Sequence, residues 1–246
     1  MRRVCAFGML PLRVCFLALS VRRASSRIAP AMVSGERVSL RDRQGTVFLR
    51  NTQRSERIDV ARVERDMRTL LRALDCAHYD VSVWLSSDAT VRRHNAQFRG
   101  KRRSTDILSF PFHELPRAGA LDAIDEEVST QLNQPDSGLD PVDREAFLEA
   151  NLQLGDLLLS VPYVQRQCVR DERAAEAAAA SLTADRGVSG AMSRVFTVQE
   201  RLPLLFVHGV LHLLGYDHET NDDYELMVRR EEELLRELRM TPVSIP

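Results

Sequence analysis

The chain has 246 residues, 44% of them apolar and 28% charged, with a formal net charge of −1. These are the proportions of an ordinary globular protein, and the length predicts one domain, with or without tails. The near-zero charge excludes a globally basic nucleic-acid binder, so any contact with RNA or DNA must come from a local patch.

Residues 1–35 stand apart. They carry Arg2, Arg3, Arg13, Arg22, Arg23 and Arg27 with several serines, and no acidic residue precedes Glu36. That composition predicts an organellar transit segment, for the mitochondrion or alternatively a plastid. Pro11 and Arg13 break the apolar stretch well short of the roughly 20 residues a membrane span needs, so no membrane insertion is expected. Cys5, Cys15, Cys76 and Cys168 show no Cys-x-x-Cys pair, the pattern of reduced thiols.

Taken in chain order, Thr46 to Asn51 reads as a first strand. Ile58 to Leu74 has Val60, Val63, Met67, Leu70, Leu71 and Leu74 at helical spacing. Asp80 to Leu85 alternates as a strand, and Asp88 is placed to cap a helix reaching about Phe98. Thr105 to Phe110 is a strand stopped by Pro111. The acidic stretch 113–151 reads as a solvated loop. Leu154 to Val161 is nearly continuously apolar, as a strand buried on both faces would be. Tyr163 to Ala180 is helical, residues 181–194 form a second loop or insertion, and two helices follow at Val195–Leu214 and Tyr224–Arg239. The alternation predicts an α/β (α+β) domain over residues 46–240, with a small mixed sheet of about four strands packed with about five helices.

The chemistry concentrates in Val207-His208-Gly209-Val210-Leu211-His212-Leu213-Leu214-Gly215-Tyr216-Asp217-His218. Residues four apart share a helix face, so His208 and His212 can offer imidazoles to one ion. Gly215 can end the helix in a left-handed conformation and let His218 return as a third ligand. Three neutral imidazoles leave a fourth tetrahedral position open, the arrangement of a catalytic zinc and not a structural one. The spacing also matches metzincin proteases, but those have a general-base Glu directly after the first His, where this chain has Gly209. Elsewhere, Arg99, Lys101, Arg102 and Arg103 form a dense basic run, either a solvated loop or a phosphate-binding patch. Asp106, Asp156 and Asp217 are candidates to orient imidazoles, or else turn and cap residues. His78, His94 and His113 lie outside these motifs and read as ordinary surface residues.

Three motifs occur together: His208 to His218; Arg99 and Gly100 followed by Thr105, Asp106, Leu108, Ser109, Phe110 and Pro111; and Leu154-Gly155-Asp156. In this set the chain resembles the YbeY family, single-strand-specific metallo-endoribonucleases of rRNA maturation, over roughly residues 46–240. The resemblance implies one zinc held by His208, His212 and His218 on a C-terminal helix, with Arg99 near the metal and handling RNA. It implies single-stranded RNA, most naturally rRNA, as substrate, with ribosomal proteins or assembly factors as further partners. Two other functions stay open: an RNA-binding assembly factor with weak or no cleavage, and a metalloprotease lacking the usual Glu.

Overall fold

A computed structural model describes residues 39–134, 140–177 and 186–239, all within one compact unit. The leader 1–35, with Cys5 and Cys15, lies outside the described residues, as does the first part of the expected insertion, residues 181–185. The elements in order are β1 (Val47–Asn51), α1 (Val60–Ala73), β2 (Asp80–Ser86), α2 (Asp88–Arg99), β3 (Ile107–Pro111), α3 (Asp122–Leu132), α4 (Pro141–Asn151), β4 (Gln153–Ser160), α5 (Val161–Ala177), α6 (Gly187–Met192), α7 (Val198–Leu213) and α8 (Asn221–Glu237).

The sheet has order β1-β2-β4-β3, with β1, β2 and β4 parallel and β3 antiparallel to β4 at the edge. Its two faces are covered unequally. On one, Val81, Val83, Leu85, Leu157 and Leu159 meet Val63, Met67, Leu70 and Leu71 of α1 and the apolar body of α7. Each such side chain, fully buried, contributes about 1.5–3 kcal/mol. On the other, Leu108 and Leu158 pack against Val91 of α2. Alternation along each strand therefore decides what a residue sees: Ile107, Ser109 and Leu157 face α7, while Leu108, Phe110 and Leu158 face the α2 side.

Two parts of the structure differ from what the composition predicts. The acidic stretch 113–151 is not one solvated loop, because it holds α3 and α4. Asp122, Glu126 and Glu127 are exposed, while Leu121, Val128, Leu132 and Leu148 reach the core and Asp125 turns inward. Asp140 caps α4 by accepting from the Val142 and Asp143 amides at 2.7 and 2.9 Å, with Pro141 in the first turn. With the short α6, this gives eight helices among the described residues instead of about five. The domain also starts before residue 46: Leu40 is buried, and Arg43 donates from both terminal nitrogens to Asp80, each at 3.0 Å.

Smaller differences have local causes. Ser87, not Asp88, caps α2, accepting from the Thr90 amide. His78 and His94 are buried, not surface, residues. His78 is hydrogen-bonded through Nε2 to Asp125 at 2.9 Å, beside the Tyr79 hydroxyl on the same oxygen. His94 lies between Trp84 and Phe98, its Nδ1 bonded to the Thr90 carbonyl. His113 is partly buried. Cys76 and Cys168 are buried and unpaired, and burial pushes the Cys76 thiol up to about 12. No helix among the described residues is long and apolar enough to cross a membrane.

Candidate metal centre

Helix α7 starts at Thr197, whose hydroxyl accepts from the Glu200 amide, and buries most of its length. Gly209 is where it meets the sheet. A Cβ there would stand 2.6 Å from Ile107 Cδ1 and 2.9 Å from Leu157 Cδ2, so a larger residue would have to push these two methyls aside. The protease-type Glu would have to enter that packed contact, which explains its absence in terms of packing as well as chemistry. With Gly209 against the sheet, His208 and His212 project along the flank of the helix.

The helix ends in a Schellman motif. Gly215 has φ of 78°, its amide donates to the His212 carbonyl at 3.1 Å, and the Tyr216 amide donates to the Leu211 carbonyl at 3.0 Å. This turn sends the Tyr216 carbonyl back over the helix, where it accepts from His212 Nδ1 at 2.9 Å. The next turn is fixed by the Asp217 carboxylate, which accepts from the His218 amide at 2.8 Å. The start of the acidic stretch braces the whole corner, since the Gly119 amide donates to the Leu214 carbonyl at 2.8 Å.

As a result His208, His212 and His218 converge, with one ligand atom from each lying within 4.8 Å of the others. Their ring centroids are 4.7 to 5.8 Å apart. The tautomers follow from the partners. His208 Nδ1 donates to Glu231 Oε1 at 2.8 Å, and His212 Nδ1 donates to a carbonyl, which can only accept. Both rings thus keep an unprotonated Nε2 for a ligand. Burial, then the charges of His208 and His218, hold His212 down at about 4, so it is neutral, the form that binds a metal, at physiological pH. Three imidazoles, those of His208 and His212 with their outer nitrogens fixed, fit a zinc-type ion with an open coordination position.

Glu231 was not among the expected site residues. It is 4% exposed, and its second oxygen accepts from the Val188 amide at 2.9 Å, tying α8 and α6 to the metal helix. Its signal is visible in α8: the buried positions are Met227, Val228, Glu231, Leu234 and Leu235, so Glu231 interrupts an apolar stripe. Gly187, at φ of 60°, leaves room for its carboxylate.

The three aspartates do other things. Asp106 accepts from Thr105 Oγ1 and the Ile107 amide, both at 2.9 Å, and from Gln167 of α5. Asp156 alternates with Leu157 and pairs with Ser82 and Phe110, which places it on the face of the sheet away from α7; burial raises its pKa. Asp217 shapes the turn that carries His218.

Gly155 belongs to the same local geometry. The register of β2 on β4 skips one residue, with Asp80 opposite Gln153 but Val81 opposite Gly155. The resulting bulge has φ of 139°, and a Cβ at Gly155 would collide with the Phe110 carbonyl and crowd Leu213 of the metal helix.

Arg99 ends α2 and is exposed, as are Lys101, Arg102 and Arg103. Gly100, at φ of 68°, turns the chain out of the helix. Buried Asn95 fixes the loop, its carbonyl accepting from the Lys101 amide and its Nδ2 donating to the Arg103 carbonyl at 2.8 Å. None of the four cations makes an ion pair among the described residues. The loop leads directly into β3, whose Ile107 and Ser109 lie against Gly209, beside His208.

Comparison with known proteins identifies the family. The family model described as "Endoribonuclease YbeY" matches residues 48–185 and 182–239. A protein named endoribonuclease YbeY from Syntrophus aciditrophicus is 26% identical over 200 residues, covering 80% of this chain and 92% of that protein. One from Shouchella clausii is 32% identical over 157 residues, covering 64% and 71%. A human protein of the same name is 25% identical over 193 residues, covering 78% and 88%. With β2 to β4, nearly all of β1 and the three-histidine turn inside the matched segments, the chain belongs to the endoribonuclease YbeY family.

Proposed function

We propose that this chain is a zinc-dependent endoribonuclease that cuts single-stranded RNA in rRNA maturation. The observation that carries the reading is the convergence of His208, His212 and His218, with the outer nitrogens of His208 and His212 tied to Glu231 and the Tyr216 carbonyl. A zinc held there by His208, His212 and His218 would supply Lewis-acid polarisation of a phosphoryl oxygen and a lowered pKa for water. The protein's part is to keep the imidazoles neutral and oriented. Arg99, at the end of α2, would neutralise charge as it builds on the phosphate, with Lys101, Arg102 and Arg103, on the loop fixed by Asn95, holding the neighbouring backbone. Peptide hydrolysis by the metzincin route is disfavoured, because the position of its general base is Gly209, packed against Ile107 and Leu157.

The test is cleavage of matched single-stranded and duplex RNA by zinc-loaded protein and by Arg99→Ala. Cutting confined to single strands is expected. Arg99→Ala should lower the rate about 10²-fold, the scale of one lost preorganised contact. Its melting temperature and zinc content should stay at the parent's values, since the side chain is exposed. Equal cutting of both RNAs would refute the strand preference, and an unchanged rate in Arg99→Ala would refute the arginine's role.

A further inference from the structure

A second basic surface lies on α5. Tyr163, Arg166, Arg170 and Arg173 recur at spacings of three, four and three, so they form one line along the helix, about 15 Å long at 1.5 Å per residue. Of the acidic residues of this helix, Asp171 and Glu172 fall off that line, Asp171 being held by Arg201 at 2.8 Å, while Glu176, three residues past Arg173, bounds the line at its C-terminal end. Arg170 and Arg173 are exposed and make no ion pair among the described residues. The Arg166 guanidinium lies 5.5 Å from the Tyr163 ring centroid. Together with Gln165 and Val169, these residues line a groove of about 410 Å³.

The line is continuous with the basic loop after α2. Gln167 of α5 donates to Asp106, and the Ser160 amide, just before α5, donates to the Asp106 carbonyl at 2.8 Å. Asp88 accepts from Ser104 of the loop at 3.0 Å and from Ser160 at 2.6 Å, and pairs with Arg166 at 2.6 Å. The loop is thereby clamped against the first turns of α5, with Asp88 and Asp106 at the junction between the two basic segments.

We propose that this line is a binding track for single-stranded RNA, which extends the substrate away from the metal centre along α5. Guanidinia spaced along a helix with one aromatic ring suit a chain that offers both phosphates and unstacked bases; an acidic protein would offer only the charge. The proposal rests on the nuclease reading for its substrate, but it makes a prediction about binding that does not require cleavage.

The test uses the full, zinc-loaded chain with the double variant Arg170→Gln/Arg173→Gln, and Tyr163→Leu separately. Gln and Leu are good helix formers, so the helix is kept. The probe is a labelled single-stranded RNA of about 20 nucleotides, longer than the roughly 4–16 that one single-strand module covers. Across about 50–200 mM salt, the double variant should bind about tenfold more weakly. The slope of log affinity against log salt should flatten by about 1.4, or roughly 0.7 for each lost phosphate contact. Tyr163→Leu should weaken binding about tenfold with the slope unchanged, because stacking releases no counterions. Unchanged affinity and slope in the double variant would overturn the track. So would polyglutamate binding that falls in the double variant while RNA binding does not. If the parent binds RNA with these effects but cuts nothing, the track stands and the nuclease reading fails. If it cuts RNA but the variants bind as the parent does, the reverse holds.

Discussion

His212→Ala is expected to give a folded protein that retains no zinc and cuts no RNA. Alanine is the best helix former, and what is lost in the protein is the hydrogen bond to the Tyr216 carbonyl, about 1 kcal/mol, and the ring contacts with His208 and His218. The Schellman hydrogen bonds from Gly215 and Tyr216 are made by backbone and survive. What goes is the ligand between His208 and His218, and two imidazoles on a half-open surface do not make a closed set for the ion. Metal analysis of the purified variant checks this directly. Full zinc occupancy in a folded His212→Ala protein would mean that the ion, if there is one, is held elsewhere.

Glu231→Ala should weaken zinc binding about 10–100-fold and also destabilise the protein, although this residue offers nothing to the ion itself. Its carboxylate orients His208, and loss of such a partner typically costs that much in affinity. The stability cost has a separate origin. The Val188 amide and His208 Nδ1–H would both lose their acceptor in a buried place, at about 1–3 kcal/mol each. Glu231→Gln separates the two effects. One amide oxygen can still accept from Val188 or His208, while the NH2 group faces a donor, so the variant should fall between the parent and alanine in both measurements. Zinc titration followed by competition with a chelator gives the affinity, and thermal melting gives the stability. A Glu231→Ala protein with parental zinc affinity would show that His208 needs no orienting partner.

How far these residues can be read in the sequence depends on whether the information is local. The spacing of His208, His212 and His218 around Gly215 is local, and it defines the metal turn down to the left-handed glycine. The period-two and period-four apolar patterns likewise locate all four strands and the helices α1, α2, α5, α7 and α8 to within a few residues. Glu231 is legible only as a charge inside an apolar stripe; its partner lies 23 positions away and cannot be named without the fold. The Tyr216 carbonyl cannot be read at all, because backbone acceptors have no signature. The aspartates illustrate the opposite error. Asp156 sits in a conspicuous motif, yet strand alternation turns it away from α7, and the feature that matters beside it is the bulge at Gly155. In the stretch 113–151, composition outweighs pattern: its acids suggest a loop, but Leu121, Val128 and Leu132 recur at helical spacing and build α3 against the core.

The most direct measurement of the central claim is RNA cleavage by the full chain after metal removal, followed by stepwise zinc return. The stripped protein should leave single-stranded RNA intact. Activity should rise in proportion to added zinc and level off at about one ion per chain, because the three imidazoles form one site. The His212→Ala protein should stay inactive throughout. Equal cleavage by the stripped and reloaded proteins would contradict a zinc-dependent nuclease built on His208, His212 and His218.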